Sequence, residues 1–154
     1  MRSVRVLVMM SALACALFGQ ALAADEGAAV YGKCAGCHKA TGEGVPGFFP
    51  PLAGHAADLA KADRTYLVRV LLFGLKGEIR VAGKTYDGTM PAYRDLLDDG
   101  QTAAVLNYVL ASWGNAKALP QGFAKISADE VKVHRAENLT PGQVYEARGK
   151  LKLK

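Results

Sequence analysis

The chain has 154 residues and a formal net charge of +5, a length that bounds it to one modest domain. Its positive charge is concentrated at the two ends, and the middle is close to neutral. A solvated face or a docking segment accounts for that pattern, and nothing along the chain resembles a nucleic-acid-binding module.

Arg2 and Arg5 open the sequence, an apolar run follows from Val6 to Phe18, and Ala21-Leu22-Ala23 is a small-x-small cleavage site. This is the pattern of a cleavable secretory signal peptide over residues 1–23, too short and wrongly flanked for a membrane span. An alternative is a lipoprotein acylated at Cys15. The preceding Ala12-Leu13-Ala14 fits that signal imperfectly, and apolar residues continue beyond it. No later segment approaches the roughly 20 apolar residues that a membrane span needs. Removing 23 of 154 residues leaves 131, with Cys34 and Cys37 the two remaining cysteines and Met90 the one remaining methionine.

Asp25 is placed to cap a first helix that carries Val30 and Tyr31 into Cys34-Ala35-Gly36-Cys37-His38. That stretch has the C-x-x-C-H spacing of a c-type haem attachment site. Two thiols add to the two haem vinyl groups, and the next histidine offers a ring nitrogen to the iron. Three other readings compete. A structural zinc site usually needs four protein ligands, and no second cysteine pair exists. A thioredoxin-like motif calls for a βαβ context that is missing here. A disulfide is the third. An exported chain with one cysteine pair has either a disulfide or thioethers.

A glycine- and proline-rich loop follows, from Thr41 to Gly54. Asp63 is a cap for a second helix, with Leu67, Val70, Leu71 and Gly74 on one face. Gly74 and Gly77 end it. The alternation between Ile79 and Tyr86 around Ala82-Gly83 predicts a small hairpin. Met90 lies in a Gly-Thr-Met-Pro loop, where a sixth iron ligand is a better reading than a core gap-filler. A further helix starts at Asp98 or Asp99, shows Leu106, Val109, Leu110 and Trp113 to the core, and stops at Gly114. Strand content is expected to be small.

Residues 24–116 carry nine basic and ten acidic side chains, and residues 117–154 carry eight and four. The positive charge of the mature chain therefore belongs to this C-terminal extension. A solvated tail is the simple reading. Docking onto an acidic partner or an anionic membrane is the other. Ser127 with Glu130 reads as a capping box, and Thr140-Pro141 with Gln143 as a cap, first-turn proline and capping partner. Short helices are expected there, packed loosely on the core.

From Asp25 to Gly114 the chain resembles the class I bacterial cytochromes c. The haem motif, Gly44-Val-Pro-Gly-Phe-Phe-Pro-Pro-Leu-Ala-Gly54, Tyr86-Asp-Gly-Thr-Met-Pro91 and the Leu106–Trp113 helix carry the likeness. They look like the small cytochromes that serve as subunits or partners of periplasmic dehydrogenases. The resemblance implies an all-α fold wrapped around one haem, with residues 24–116 as the domain and 117–154 as a helical, basic extension. It implies thioethers at Cys34 and Cys37, His38 and Met90 as axial ligands, the Pro50 carbonyl on His38, and Leu52 against the haem. The first and last helices would cross near Val30, Tyr31, Val109 and Trp113. Arg69, Arg80, Lys84 and Tyr93 are candidates for a haem propionate, and Phe48 and Phe49 for the haem edge.

The function expected is that of a periplasmic single-electron carrier without substrate turnover. It would take electrons from a dehydrogenase and pass them to a cytochrome or terminal oxidase, as a shuttle or a held subunit. The alternative is a haem-based sensor or enzyme with an open iron, which requires Met90 off the metal. His55 is the reserve ligand, and His134 is assigned no role.

Overall fold

Capping residues and glycines set the element boundaries in this computed structural model, which describes residues 26–153. Helix α1 spans 26–31, and α2 (Ala35–His38) contains most of the C-x-x-C-H motif. After the proline loop come α3 (Ala56–Ala62) and α4 (Arg64–Phe73). Four short strands follow: β1 (Leu75–Lys76), β2 (Ile79–Val81), β3 (Lys84–Tyr86) and β4 (Thr89–Met90). Helices α5 (Asp99–Ala111), α6 (Asn115–Ala118), α7 (Ala128–Arg135) and α8 (Pro141–Gly149) complete the chain. The segment read as a signal peptide, with Cys15, and the expected cap Asp25 lie outside the described residues.

Local chemistry accounts for most of these limits. Asp63 accepts a hydrogen bond from Thr65 N at 2.9 Å and caps α4. Its backbone is extended, which separates α4 from α3. Helix α3 was not expected, because His55 at its start makes no side-chain cap and its Ala-rich sequence carries no start signal. Asp98 and Gln101 form a full capping box at α5. In the β2–β3 hairpin, Ala82 and Gly83 both have positive φ, 48° and 78°, the sign that a two-residue type I′ turn requires. Trp113 differs from expectation. It lies beyond the end of α5 with φ 49°, so it reaches the core from the turn and not from the helix face.

Helices α1 and α5 cross at Gly27. A Cβ added there would sit 2.5 Å from Ala104 O and 2.8 Å from Tyr108 Cβ, so the two backbones touch. One turn on, Tyr31 packs against Tyr108 and Trp113 with ring centroids 5.4 and 5.0 Å apart. Tilted aromatic pairs at such distances add to their area burial. This crossing fixes the direction in which α1 delivers the chain into Cys34.

The C-terminal segment is not loosely attached. Helix α7 packs on α4 and α5, and α8 packs on α4 and β1. Val131 and Val144 are fully buried, each worth about 1.5–3 kcal/mol. Arg64 grips Glu130 with two hydrogen bonds of 2.8 and 2.7 Å. Arg69 does the same to Glu137, with both at 2.8 Å. Arg135 binds Asp99 at 2.6 Å and also donates to the carbonyls of Arg94 and Leu97. The expected capping box at α7 is therefore half made. Ser127 accepts from Glu130 N, but the Glu130 carboxylate turns to Arg64. At α8 the box of Thr140 and Gln143 is complete, with Pro141 in the first turn.

Candidate functional site

His38 ends α2 and is 8% exposed. Its Nδ1 lies 3.0 Å from the Pro50 carbonyl oxygen. A carbonyl only accepts, so Nδ1 carries the proton and Nε2 keeps its lone pair. Burial lowers the His38 pKa, and the Pro50 bond opposes that, so the ring is held neutral near pH 7. Cys34 and Cys37 are free thiols, both half-buried. Burial pushes the Cys34 thiol upward, and Cys37 adds to the push.

The loop that supplies Pro50 is tied at several points. Gly44 N donates to His38 O at 3.0 Å, Val45 N to Phe49 O at 2.8 Å, and Leu52 N to Gly42 O at 2.7 Å. The fully buried Asn115 donates from Nδ2 to Leu52 O at 3.1 Å and to Val109 O at 2.9 Å. The proline carbonyl is thus held from both sides of the loop and from the far end of α5.

Met90 was expected in a loop and is found in β4, paired with Leu75 of β1. Gly74, with φ 76°, lets this pairing form, since a Cβ there would lie 2.5 Å from Met90 O. Just beyond, Tyr93 N and Arg94 N donate to Leu71 O and Leu72 O at 3.0 and 3.1 Å. The methionine backbone is therefore clamped to the C-terminal end of α4.

One cleft receives all these groups. Cys34, Cys37, His38, Pro50, Leu52 and Met90 all line it, and the rest of its wall is mainly apolar. The space between its walls, with solvent at the open mouth included, is about 1170 Å³. Two thiols, an imidazole lone pair and a thioether on the wall of a large apolar cleft suit a flat apolar metallocofactor.

A family model for cytochrome c matches residues 24–113. The chain belongs to the cytochrome c family. A cytochrome c-552 of Thermus thermophilus is 49% identical over 140 residues, covering 90% of this chain and 93% of that protein. The gluconate 2-dehydrogenase cytochrome c subunit of Pantoea cypripedii is 35% identical over 118 residues, which is 72% of this chain and 26% of that subunit. The cytochrome c subunit of a quinone alcohol dehydrogenase from Gluconobacter oxydans is 37% identical over 93 residues, which is 59% of this chain and 19% of that subunit. These findings make the chain a class I cytochrome c and an electron carrier, with a covalently attached c-type haem.

The residues of this cytochrome fit that group. Cys34 and Cys37 stand in the attachment spacing with free thiols, and the neutral His38 ring shares their cleft. Among the described residues no group of three or more His, Cys, Asp or Glu side chains is placed to hold a metal ion. No helix among the described residues is long and apolar enough to cross a membrane.

Several expected neighbours of the haem lie elsewhere. Arg69 is committed to Glu137 and is not on the cleft wall, and the Arg80 and Lys84 side chains are exposed on the hairpin. Tyr93 does line the cleft, and its hydroxyl donates to Lys33 O at 3.3 Å. Phe48 is 61% exposed at the cleft and Phe49 is half-buried beside it. His134 is not on the cleft wall; it bonds Glu137 at 3.0 Å, beside the Arg69–Glu137 pair. His55 is on the wall, and burial followed by the Arg148 charge depresses its pKa to about 4, against Asp58.

Sequence reasoning missed Tyr66, Arg148 and Asn115. Tyr66 and Arg148 line the cleft, and Asn115 holds the loop. Arg148 was counted among the tail charges, and nothing in its neighbours marks it as buried.

Proposed function

We propose that this cytochrome is a periplasmic carrier of one electron on a single haem. Residues 1–23 act as the export signal, 24–116 form the haem domain, and 117–154 form an extension that covers it. Cys34 and Cys37 would hold the haem by thioethers, and His38 and Met90 would ligate its iron. The haem supplies the redox-active iron. The protein supplies the rest. The Pro50 carbonyl fixes the His38 tautomer and its basicity. Leu52 and the apolar wall exclude water. A neutral thioether ligand from Met90 would favour ferrous iron and raise the potential. Two protein ligands on stiff segments keep the coordination alike in both oxidation states, which keeps reorganisation small.

The observation that carries this reading is the convergence of the two thiols, the His38 ring and Met90 on one cleft. The relatives bear on whether it is a free shuttle or a held subunit, and both roles stay within the proposal. The cytochrome c-552 match covers 93% of that protein, whereas the dehydrogenase subunits are matched over 19–26% of their length. Donors are then periplasmic dehydrogenases, and acceptors a cytochrome or terminal oxidase, met through small, quickly released interfaces.

Absorption spectra of the ferric and ferrous holoprotein, before and after carbon monoxide, test this. A covalent low-spin haem indifferent to carbon monoxide is expected. Ready carbon monoxide binding would place Met90 off the iron and make the protein a sensor or an enzyme.

A further inference from the structure

Among the residues that line the cleft, one carries a permanent charge, and it comes from α8. This is Arg148, which is 8% exposed. Its Nη2 donates to His55 Nε2 at 3.2 Å and to the Arg80 carbonyl at 3.3 Å. Both acceptors are neutral. Among the described residues no carboxylate lies within 4.0 Å of its guanidinium nitrogens. Beside it stands Tyr66, 1% exposed, whose hydroxyl oxygen has no hydrogen-bond partner among the described residues. Burial pushes that phenol upward, and Arg148 opposes it, first by its charge and then by its approach to the hydroxyl, which falls short of a formed hydrogen bond.

Each of these features is costly alone. Arginine is almost never buried without a partner, and an uncompensated buried charge is strongly destabilising. A buried hydroxyl without a partner adds its own desolvation cost. The two face the same cleft, so its occupant must bring an anion with acceptor oxygens to them. A haem carries two propionate carboxylates.

We propose that Arg148 and Tyr66 bind one haem propionate, with His55 as the residue that positions the guanidinium. This rests on the haem reading above. The depressed pKa of His55 leaves it neutral near pH 7, so it accepts from Arg148 and adds no competing charge. Arg148 lies 35 residues beyond the family match, which ends at residue 113. The extension therefore contributes the counter-charge of the cofactor, in addition to covering the domain.

Nuclear magnetic resonance of the ferrous holoprotein tests the contact without any substitution. Nuclear Overhauser effects are expected from the methylene protons of one propionate to both the Tyr66 ring and the Arg148 side chain. A haem-loaded protein with neither contact overturns the proposal. A wild-type protein that takes up no haem overturns the haem reading instead. In the ferric protein, Arg148→Gln and Tyr66→Phe should move the methylene resonances of the same propionate and leave the other in place. Arg148→Gln should also lower the reduction potential, because a buried negative charge loses its counter-ion, and Arg148→Lys should fall between. Unchanged resonances and potential in a folded, haem-loaded Arg148→Gln protein would refute the assignment. Should that variant not fold, the wild-type contacts decide.

Discussion

Replacing Gly27 by alanine is a direct test of how the haem segment is held. The new Cβ would stand 2.5 Å from Ala104 O and 2.8 Å from Tyr108 Cβ, about 1 Å short of an ordinary van der Waals contact of ~3.5–4.0 Å. Neither neighbour can yield cheaply, because one is helix backbone and the other begins a side chain packed on Tyr31. Helices α1 and α5 must therefore separate. Overpacking of this kind costs about 1–3 kcal/mol. Alanine recovers at most ~1 kcal/mol of helix propensity, and less so near a helix start. The net loss is about 1–2 kcal/mol, or roughly 2–8 °C in the thermal midpoint at the ~2–4 °C per kcal/mol of a chain near 150 residues. The assay is thermal unfolding of the ferric holoprotein, followed by far-ultraviolet circular dichroism and by haem absorbance. Gly149→Ala is the control, because a Cβ there meets nothing within 4 Å; it should match the wild type or gain up to ~1 kcal/mol. A Gly27→Ala protein as stable as the control would refute the backbone-contact reasoning.

Three further outcomes are expected. Met90→Ala should keep its covalent haem, lose the far-red ligand-to-iron band, become high-spin or recruit another ligand, and show a lower potential; an unchanged band and potential would exclude Met90 as ligand. Asn115→Ala removes two hydrogen bonds, to the Leu52 and Val109 carbonyls, which keep backbone donors at Ala56 N and Ser112 N; at about 0.5–1.5 kcal/mol each it should cost about 1–3 kcal/mol in denaturant unfolding. Arg69 first, and then His134, hold the Glu137 carboxyl at about 2, below its ordinary 4.5. The bonds of the ionised form stabilise the fold fully above pH 4.5, and that stability is lost as the pH falls toward 2. Glu137→Gln should lower stability at pH 7 and flatten its decline across that window, and thermal midpoints between pH 2 and 7 that run parallel to the wild type would count against it.

Wherever a local chemical rule sets the structure, the sequence is legible. Asp63, Asp98 and Thr140 bond the amides two or three residues ahead, and the caps can be read without any tertiary knowledge. The same holds for the Ala82-Gly83 turn and for the spacing of Cys34, Cys37 and His38. Legibility ends where a choice between partners is made at a distance. Glu130 has a local partner in the Ser127 backbone and a distant one in Arg64, and the bidentate guanidinium wins. Arg69 and Arg148 are alike on paper. The first is spent on Glu137, 68 residues away, and the second enters the cleft. Helix α3 escaped because packing of Ala56, Ala57, Leu59 and Ala60 makes it, with no capping side chain.

These distant choices also change what the tail's charge can do. Of its basic residues, Arg135 is bound to Asp99 and Arg148 faces the cleft. Its acids Glu130 and Glu137 neutralise Arg64 and Arg69 of the domain. The exposed charges left on residues 117–153 are Lys117, Lys125, Lys132, Lys150 and Lys152 against Asp129 and Glu146, five minus two, or +3. The arginines and the paired acids thus join the extension to the domain, and the lysines remain for solvent or a partner. Lysine suits that division. Its ammonium is a strongly hydrated point charge on a flexible stem, whereas the planar guanidinium is the better fit for buried and bidentate bonds. A carrier that must release its partners quickly gains from steering by such screened, hydrated charges, because they speed encounter without adding a desolvated contact that would slow departure.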